Sequence, residues 1–309
     1  MKKIISIGEV VWDMLPAGKQ LGGAPVNFAY YAAALGAEAC PITAIGKDAL
    51  GDETLAALKE TGLDLRAVQR NDLPTSRVNI TLDEAGIPQY EIVENVAWDS
   101  LEATAEDIVL MRGADAVCWG SLSQRSEKSR KSILTLLDAA PQDCVKVFDI
   151  NIRQNYYDRE GITESLRRCN ILKLNEDELP LLQKMFSLSS DFQQAIKALC
   201  LEYGISLVIF TQGARCSEIY DTDGLLSHID TPKVKVVDTV GAGDSFTATF
   251  VSGLLGGAAV ADAHRRAVEV SARVCTYSGA IRRISPEEAP TSITKLQTES
   301  TAQSCFERL

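Results

Sequence analysis

The chain alternates short runs of branched apolar residues with stretches in which apolar residues recur every three or four positions. The runs are typical of buried parallel strands and the periodic stretches of amphipathic helices. The pattern predicts strands at residues 4–7, 114–119, 145–150, 171–174 and 207–211, and helices at 25–35, 127–139, 162–169 and 191–203. This order predicts an α/β fold, with a mostly parallel sheet covered by helices on both faces.

One region changes to an alternation of period two. Residues 77–83 and 89–94 alternate apolar and polar positions on either side of a Glu-Ala-Gly-Ile-Pro turn, which predicts an antiparallel hairpin. We expect a small β-sheet lid over a cleft, formed by residues of about 75–97 and about 10–20; the alternative is an extension of the main sheet. With no long linker in the sequence, residues 1–309 are predicted to form a single domain.

Later in the chain, the pattern predicts a second hairpin at 217–220 and 225–229, followed by helices at 242–255 and 260–278. The polar tail from residue 285 is expected to carry little chemistry.

Composition narrows the possible partners. A chain of 309 residues with 46% hydrophobic content can bury a sizeable core, and a net charge of −11 without a basic cluster argues against nucleic-acid binding. There is no signal-peptide pattern and no run of roughly 20 apolar residues, so we expect a cytoplasmic protein with no membrane partner. The eight cysteines are scattered without a C-x-x-C pair, which favours reduced thiols over disulfides or zinc.

The candidate chemistry lies at residues 234–246. This segment reads as a strand at 234–237, a glycine-rich turn and Asp244 at the start of a helix. Backbone N–H groups at a helix start can hold a phosphate, and an ionised carboxylate there can accept a proton from a hydroxyl. The segment is neither a P-loop nor the dinucleotide fingerprint, since Phe246 replaces the third glycine. The alternative is that Asp244 only caps the helix.

Residues 238–246, D-T-V-G-A-G-D-S-F, resemble the C-terminal signature of the ribokinase-like (PfkB) carbohydrate kinases. The resemblance implies a ribokinase-like fold, ATP as co-substrate and Asp244 as the general base. It also implies an anion hole at Gly241, Ala242 and Gly243, and a site for a monovalent cation such as K+ beside Asp238 and Thr239.

The N-terminal part resembles the sugar-binding start of the same family, through Gly8-Glu9, Trp12-Asp13 and the run from Gly22-Gly23 to Asn27. The implied sugar ligands are Asp13, Gly22, Gly23 and Asn27. Buried carboxylate and amide groups that only ligand hydroxyls satisfy discriminate strongly between ligands. Without the family, the glycines read as a turn and Asn27 as a residue of a helix's first turn.

The middle of the chain carries three further matches. D-I-N-I-R at residues 149–153 resembles the fructokinase pattern and implies Asn151 and Arg153 near the sugar and the transferred phosphate. The N-x-x-E at 175–178 implies that Asn175 and Glu178 organise hydrated Mg2+, an ion that prefers oxygen ligands; the alternative is an acidic helix start. The turn at 211–213 implies ATP contacts from Thr211 and Gly213, together with Gly243.

One residue departs from the family pattern, and two histidines match no role in it. Cys216 stands where a second glycine is usual after the turn at 211–213, which leaves the contacts of that loop in doubt. His228 and His264 match no family role and are treated as structural.

Several residues favour a fructokinase. Ala24-Pro25 and Ala97-Trp98-Asp99 look fructokinase-like, and Trp98 is a candidate apolar wall over the sugar ring. The predicted reaction transfers the γ-phosphoryl group of ATP to a hydroxymethyl group of a sugar, most simply fructose. The alternatives are a 2-keto-3-deoxygluconate kinase, a ribokinase, or a non-catalytic sugar or nucleotide sensor. Family members often pair through the lid, so a homodimer is a further expectation.

Overall fold

The computed structural model describes residues 1–15, 18–82 and 88–281. Its strands are β1 (Lys3–Ile7), β2 (Val11–Leu15), β3 (Gly18–Gly22), β4 (Glu38–Gly46), β5 (Val68–Asn71), β6 (Arg77–Leu82), β7 (Pro88–Ile92), β8 (Ala116–Trp119), β9 (Val145–Asp149), β10 (Ile171–Asn175), β11 (Leu207–Thr211), β12 (Cys216–Tyr220) and β13 (Leu225–Asp230). Its α-helices are α1 (Ala24–Ala34), α2 (Ala49–Lys59), α3 (Ala105–Met111), α4 (Glu127–Ala139), α5 (Arg159–Leu166), α6 (Glu178–Phe186), α7 (Phe192–Tyr203), α8 (Ala242–Leu255) and α9 (Val260–Val274).

The main sheet has nine strands in the order β13-β12-β11-β10-β9-β8-β1-β4-β5. The run from β11 to β5 is parallel, and β12 and β13 continue it in antiparallel fashion. Successive residues of β1 pack in different apolar clusters: Ile4 packs in one cluster, and Ile5 and Ile7 pack in the other. Burial on both faces explains the continuous apolar runs of these strands, and the predicted α/β architecture is confirmed.

A second, smaller sheet stands apart, with strand order β3-β2-β6-β7. The predicted hairpin forms β6 and β7, which are antiparallel, and β6 runs parallel to β2. The alternative of an extended main sheet is therefore wrong. The inner face of the small sheet contributes Val11, Val78 and Ile92 to a separate apolar cluster that contains Trp98.

Two predictions about local structure need correction, and the long strand β4 was not predicted. Residues 234–237 form no strand: Val236 and Val237 are each 58% exposed, and the last strand of the sheet ends before them at Asp230. The last described helix ends at Val274 instead of continuing to residue 278. Strand β4 is absent from the predicted strands because Ala, Cys, Pro and Thr interrupt its apolar run, although it is buried along nearly its whole length.

Two further expectations concern membrane-spanning helices and the polar tail. Within the described ranges, no helix combines the length and apolar character needed to cross a membrane. The polar tail from residue 285 lies outside the described residues.

Candidate active site

The candidate base lies where two helices meet. Asp244 is in the first turn of α8, and its Oδ2 accepts a hydrogen bond of 2.7 Å from Nδ2 of Asn27, a buried residue of α1. Burial, reinforced by the negative charge of Asp149, raises the pKa of Asp244 to about 7; the Asn27 hydrogen bond and the charges of Lys173 and Arg153 act in the opposite direction. A carboxylate with such a pKa can exchange a proton near neutral pH.

Glycine is required at the start of α8. Gly241 is the residue before the helix and has φ of +79°, and a Cβ there would lie 3.0 Å from the carbonyl oxygen of Ala280. A Cβ on Gly243 would lie 3.5 Å from Nζ of Lys173. The N–H of Ala242 donates to the carbonyl of Thr239, whose residue is exposed. The buried ammonium group of Lys173 therefore lies beside Gly243 in the first turn of α8, the positive end of this helix, and the two together suit an anion.

A buried ion pair lies beneath this helix start. Lys173 Nζ in β10 is 3.0 Å from Oδ1 of Asp149 at the end of β9, and each side chain is only 9% exposed. The charges of Asp149 and Glu178 raise the pKa of Lys173 against the opposite effect of burial, so it stays protonated. No sequence motif gave either residue of the pair a role. A lysine inside the apolar run I-L-K-L-N was the available signal, since a buried lysine needs a charged partner.

The predicted magnesium residues lie at the end of β10 and at the start of α6. Glu178 is buried at the start of α6; its Oε1 accepts from the Ile152 N–H at 3.0 Å and its Oε2 from the Asn175 N–H at 2.8 Å. Asn175 Oδ1 accepts from the N–H groups of Asp177 and Glu178. These bonds connect the loops after β9 and β10. Each Glu178 oxygen accepts one of these bonds and keeps acceptor capacity, so this carboxylate fits a hydrated magnesium ion, whereas Asn175 Oδ1 already accepts two bonds and orders the loop.

The predicted sugar residues lie on the small sheet and at the start of α1. Asp13 is in β2, with Oδ2 facing Gly22 at the end of β3. Gly23 precedes α1 with φ of +115°, and a Cβ there would lie 2.5 Å from the Glu9 carbonyl oxygen, so only glycine fits. Burial raises the pKa of Asp13, and the positive charge of Arg153 partly offsets this effect.

A cleft lies between the start of α1 and the first turn of α8. Its lining includes Ala24, Pro25, Gly120, Asn151 and Asp244, together with Asp149. Asn151 has φ of +45°, a conformation that asparagine tolerates better than most residues. The structure thus brings Asn151 close to the candidate base.

Trp98 does not line this cleft. Its side chain is fully buried in the cluster behind the small sheet, and the guanidinium of Arg125 lies 4.1 Å from the ring centre. Arg125 in turn donates to both carboxylate oxygens of Asp99. Trp98 therefore supports the small sheet, and the predicted wall over the sugar ring is not present in this structure.

A further buried carboxylate belongs to the N-terminal pattern but had no predicted role. Glu9 is 2% exposed, and its Oε2 has no hydrogen-bond partner among the described residues. Burial raises the pKa of Glu9, and the charge of Arg153 lowers it in part. Arg153 is exposed, and its charge lowers the pKa of Glu9, Asp13 and Asp244, so it lies near all three carboxyl groups.

The predicted ATP and cation residues lie on the loops after β11 and before α8. Thr211 ends β11, and Gly213 follows with φ of +53°. Asp238 Oδ1 accepts from the Val240 N–H at 3.0 Å, and its Oδ2 accepts from the Gly279 N–H at 2.9 Å. Asp238 therefore ties the loop before α8 to the loop after α9.

Known proteins give the same architecture. A family model for pfkB family carbohydrate kinases matches residues 7–288. The chain belongs to the pfkB family of carbohydrate kinases. Among its relatives, an ATP-dependent 6-phosphofructokinase of Thermoanaerobacterium thermosaccharolyticum is 27% identical, with 90% of this chain and 89% of the relative covered. A fructokinase of Klebsiella pneumoniae is 30% identical, with 82% and 84% covered.

Solved structures confirm the ribokinase-like fold of this kinase. A fructokinase with bound ATP from Xylella fastidiosa superposes with a TM-score of 0.80 at 20% identity, over 90% of this chain and 94% of that one. A putative Ribokinase II in complex with ATP and Mg2+ from E. coli gives 0.78 at 22% identity, over 96% and 98%. At such identities the likeness shows the fold, while the roles of individual residues rest on the geometry above.

Proposed function

We propose that this kinase transfers the γ-phosphoryl group of ATP to a hydroxymethyl group of a sugar, and that the sugar is fructose. The observation that carries the proposal is Asp244, a carboxylate with a pKa of about 7 in the first turn of α8, where Gly243 lies beside the buried ammonium group of Lys173. A base of this pKa, beside a site for an anion, is what phosphoryl transfer to an alcohol requires.

In the proposed reaction, an Asp244 oxygen takes the proton of the sugar hydroxyl. The freed hydroxyl oxygen forms a bond to the γ-phosphorus as the bond from that phosphorus to the β,γ-bridging oxygen breaks, and ADP leaves. Asn27 holds the carboxylate through its 2.7 Å hydrogen bond. The amides of Gly241 and Gly243 would stabilise charge on the transferred group, and the Ala242 N–H would join them by exchanging its 3.2 Å bond to the Thr239 carbonyl for one to the phosphate.

Lys173 and Arg153 supply positive charge on either side of the transferred group. Nζ of Lys173 approaches the backbone of Gly243 so closely that a Cβ on this glycine would lie 3.5 Å from it, and the charge of the exposed Arg153 acts on Asp244. When bound, Mg2+ would neutralise phosphate charge; Asn175 and Glu178 would hold it through water. Asp238 and Thr239 would hold a monovalent cation such as K+.

The sugar is assigned to Asp13, Gly22, Gly23, Asn27, Asn151 and Arg153. The small sheet would act as a lid, because Asp13 lies on it and the charge of Arg153 acts on both Asp13 and Asp244. Closing the cleft would exclude water and limit ATP hydrolysis. Fructose is preferred because relatives at up to 30% identity over most of their length are fructokinases. A homodimer through the small sheet stays a prediction, which light scattering would test.

The deciding experiment measures ADP release from Mg-ATP in the presence of fructose, fructose 6-phosphate, ribose or 2-keto-3-deoxygluconate. We expect turnover of fructose, and a loss of at least about 100-fold in Asp244→Asn, since general-base catalysis contributes that much. Asp191→Asn is the matched control, because Asp191 caps α7 away from the cleft and asparagine caps equally well.

Turnover of another sugar would keep the mechanism and change the substrate. Full activity of Asp244→Asn would refute its role as the base. Binding of ATP or sugar without turnover of any acceptor would favour the non-catalytic sensor.

A further inference from the structure

Three metal-binding side chains of different types converge away from the cleft, on the strand pair β12 and β13. They are Cys216, Glu218 and His228, and the ligand atoms of these three residues all lie within 4.8 Å of one another. Cys216 and Glu218 are two positions apart on β12 and share a face, and Glu218 pairs directly with His228 on β13. It is the one such group found among the described residues.

The cluster already has the arrangement of a metal site around its histidine. His228 Nδ1 lies 2.8 Å from Glu218 Oε1, and His228 Nε2 lies 3.3 Å from Oδ1 of Asp230. A metal-bound histidine typically uses one ring nitrogen for the metal and gives its other N–H to a carboxylate, which fixes the tautomer. Asp230 is placed to receive that second N–H.

Access and ligand type both suit a borderline-soft divalent ion. The His228 side chain is 46% exposed while that of Glu218 is 10% exposed, so an ion can reach a partly enclosed set of donors from solvent. Hydrogen bonding alone explains the pairing of imidazole and carboxylate, but it gives the thiol little to do, because sulfur is a weak acceptor. Thiolate, imidazole and carboxylate together are the ligands that zinc takes in proteins.

We propose that Cys216, Glu218 and His228 form a zinc site, with a water as fourth ligand and Asp230 as the outer partner of His228. Binding forms a Zn–S bond as the Cys216 S–H bond breaks, and the proton goes to solvent. His228 donates its Nδ1 electron pair and keeps its proton on Nε2. An ordinary cysteine thiol carries a proton at neutral pH, and this is the proton that the metal displaces.

The site borders the loop assigned to ATP. Gln212 lies between Thr211 and Gly213, and its Nε2 donates to Cys216 Sγ at 3.2 Å and to Glu218 Oε2 at 3.1 Å. Zinc bound to Cys216 Sγ would compete with the Gln212 Nε2 bond to this sulfur and shift the Gln212 side chain, while Glu218 Oε2 would keep its bond from the Tyr220 hydroxyl. We therefore expect zinc to raise the KM for ATP, a consequence that rests on the proposed function, whereas zinc binding itself does not.

The test uses Co2+ as a spectroscopic probe for zinc, with the untagged full-length protein in the absence of ATP and sugar. We expect one Co2+ per chain, a thiolate-to-cobalt charge-transfer band and displacement by Zn2+. Cys216→Ala should abolish the band, and His228→Asn should weaken Co2+ binding by more than about tenfold. Cys275→Ala is the matched control, because Cys275 is a half-buried cysteine at the end of α9, and it should keep the band.

No thiolate band in the wild type, or a band that persists in Cys216→Ala, would overturn the proposal. His228 lies on an exposed position, so His228→Asn gives a second measurement if the cysteine variant folds poorly, as far-ultraviolet circular dichroism would show. Unchanged Co2+ affinity in a folded His228→Asn protein would also overturn it. A band without any sugar phosphorylation would support the zinc site and refute only the proposed function.

Discussion

Replacing Lys173 by methionine should be among the more costly single substitutions in this kinase. The change keeps the length and the apolar stem of the side chain but removes the ammonium group that lies 3.0 Å from Asp149 Oδ1. Asp149 would stay buried next to Asp244 and Glu178 without its positive partner, as the charges acting on these groups indicate. An uncompensated buried carboxylate is the source of the loss.

Breaking a buried pair by removing one partner costs about 3–5 kcal/mol, whereas exposed pairs contribute less than about 1 kcal/mol. Lys173 and Asp149 are each 9% exposed, so the larger range applies. Lys2→Met is the matched control, because Lys2 lies 2.8 Å from Asp115 with side chains that are 51% and 31% exposed. The structure therefore predicts very different losses for two lysines with similar ion-pair distances.

Urea denaturation measures the free energy of unfolding of both variants. The double variant Asp149→Asn/Lys173→Met should regain on the order of 1–3 kcal/mol relative to Lys173→Met, because the orphaned charge is gone. The lysine charge also lowers the pKa of Asp244, so the rise of kcat/KM with pH should move to higher pH in Lys173→Met. Equal losses of stability in Lys173→Met and Lys2→Met would refute the reasoning.

Three further predictions concern other parts of the site. Since the folded-state pKa of Asp244 is raised to about 7, kcat/KM should fall as pH falls through about 7. The same raised pKa means that the folded protein loses stability as pH rises from about 4 to 7. Asp244→Asn should therefore unfold at a higher temperature than wild type at pH 8, and a lower unfolding midpoint would contradict this. Gly241→Ala should cost about 1–3 kcal/mol and most of the activity, because its φ of +79° and the Ala280 backbone leave no room for a Cβ, as thermal unfolding and ADP release would show. Trp98→Ala should lose about 3–5 kcal/mol of stability by leaving a cavity beside Arg125, and a changed KM for sugar in a protein of unchanged stability would argue against this.

Patterns within single segments predicted much of this fold. The bounds of α4, β11 and α8 in the structure are the predicted ones, because each element buries its apolar positions at its own period and has clear end signals. The prediction was wrong at residues 234–237, where alternating valines suggested a strand but no neighbouring strand is present to pair with them. Strand formation depends on a partner that the local sequence does not contain.

Candidate site residues were found where a motif marks them, as with Asp244 and the two glycines of α8. Lys173 and Asp149 were not selected, because a charge in an apolar run has meaning only when its partner on the next strand is known. Trp98 was assigned to the sugar because an aromatic residue near a hairpin suits either a cleft or a core. In the structure Trp98 packs against Val11, Val78 and Ile92, so it belongs to the core.

The sequence by itself determined the alternation of strands and helices, the separate hairpin and the glycine-aspartate motif, since these follow from local periodicity and from the stereochemistry of single residues. Only the tertiary structure decided which charges face one another, because pairing and burial join residues far apart in the chain, such as Asn27 with Asp244 and Cys216 with His228. The pKa of Asp244 is raised by burial and by the charge of Asp149, and the residues next to Asp244 in the sequence indicate neither of these causes.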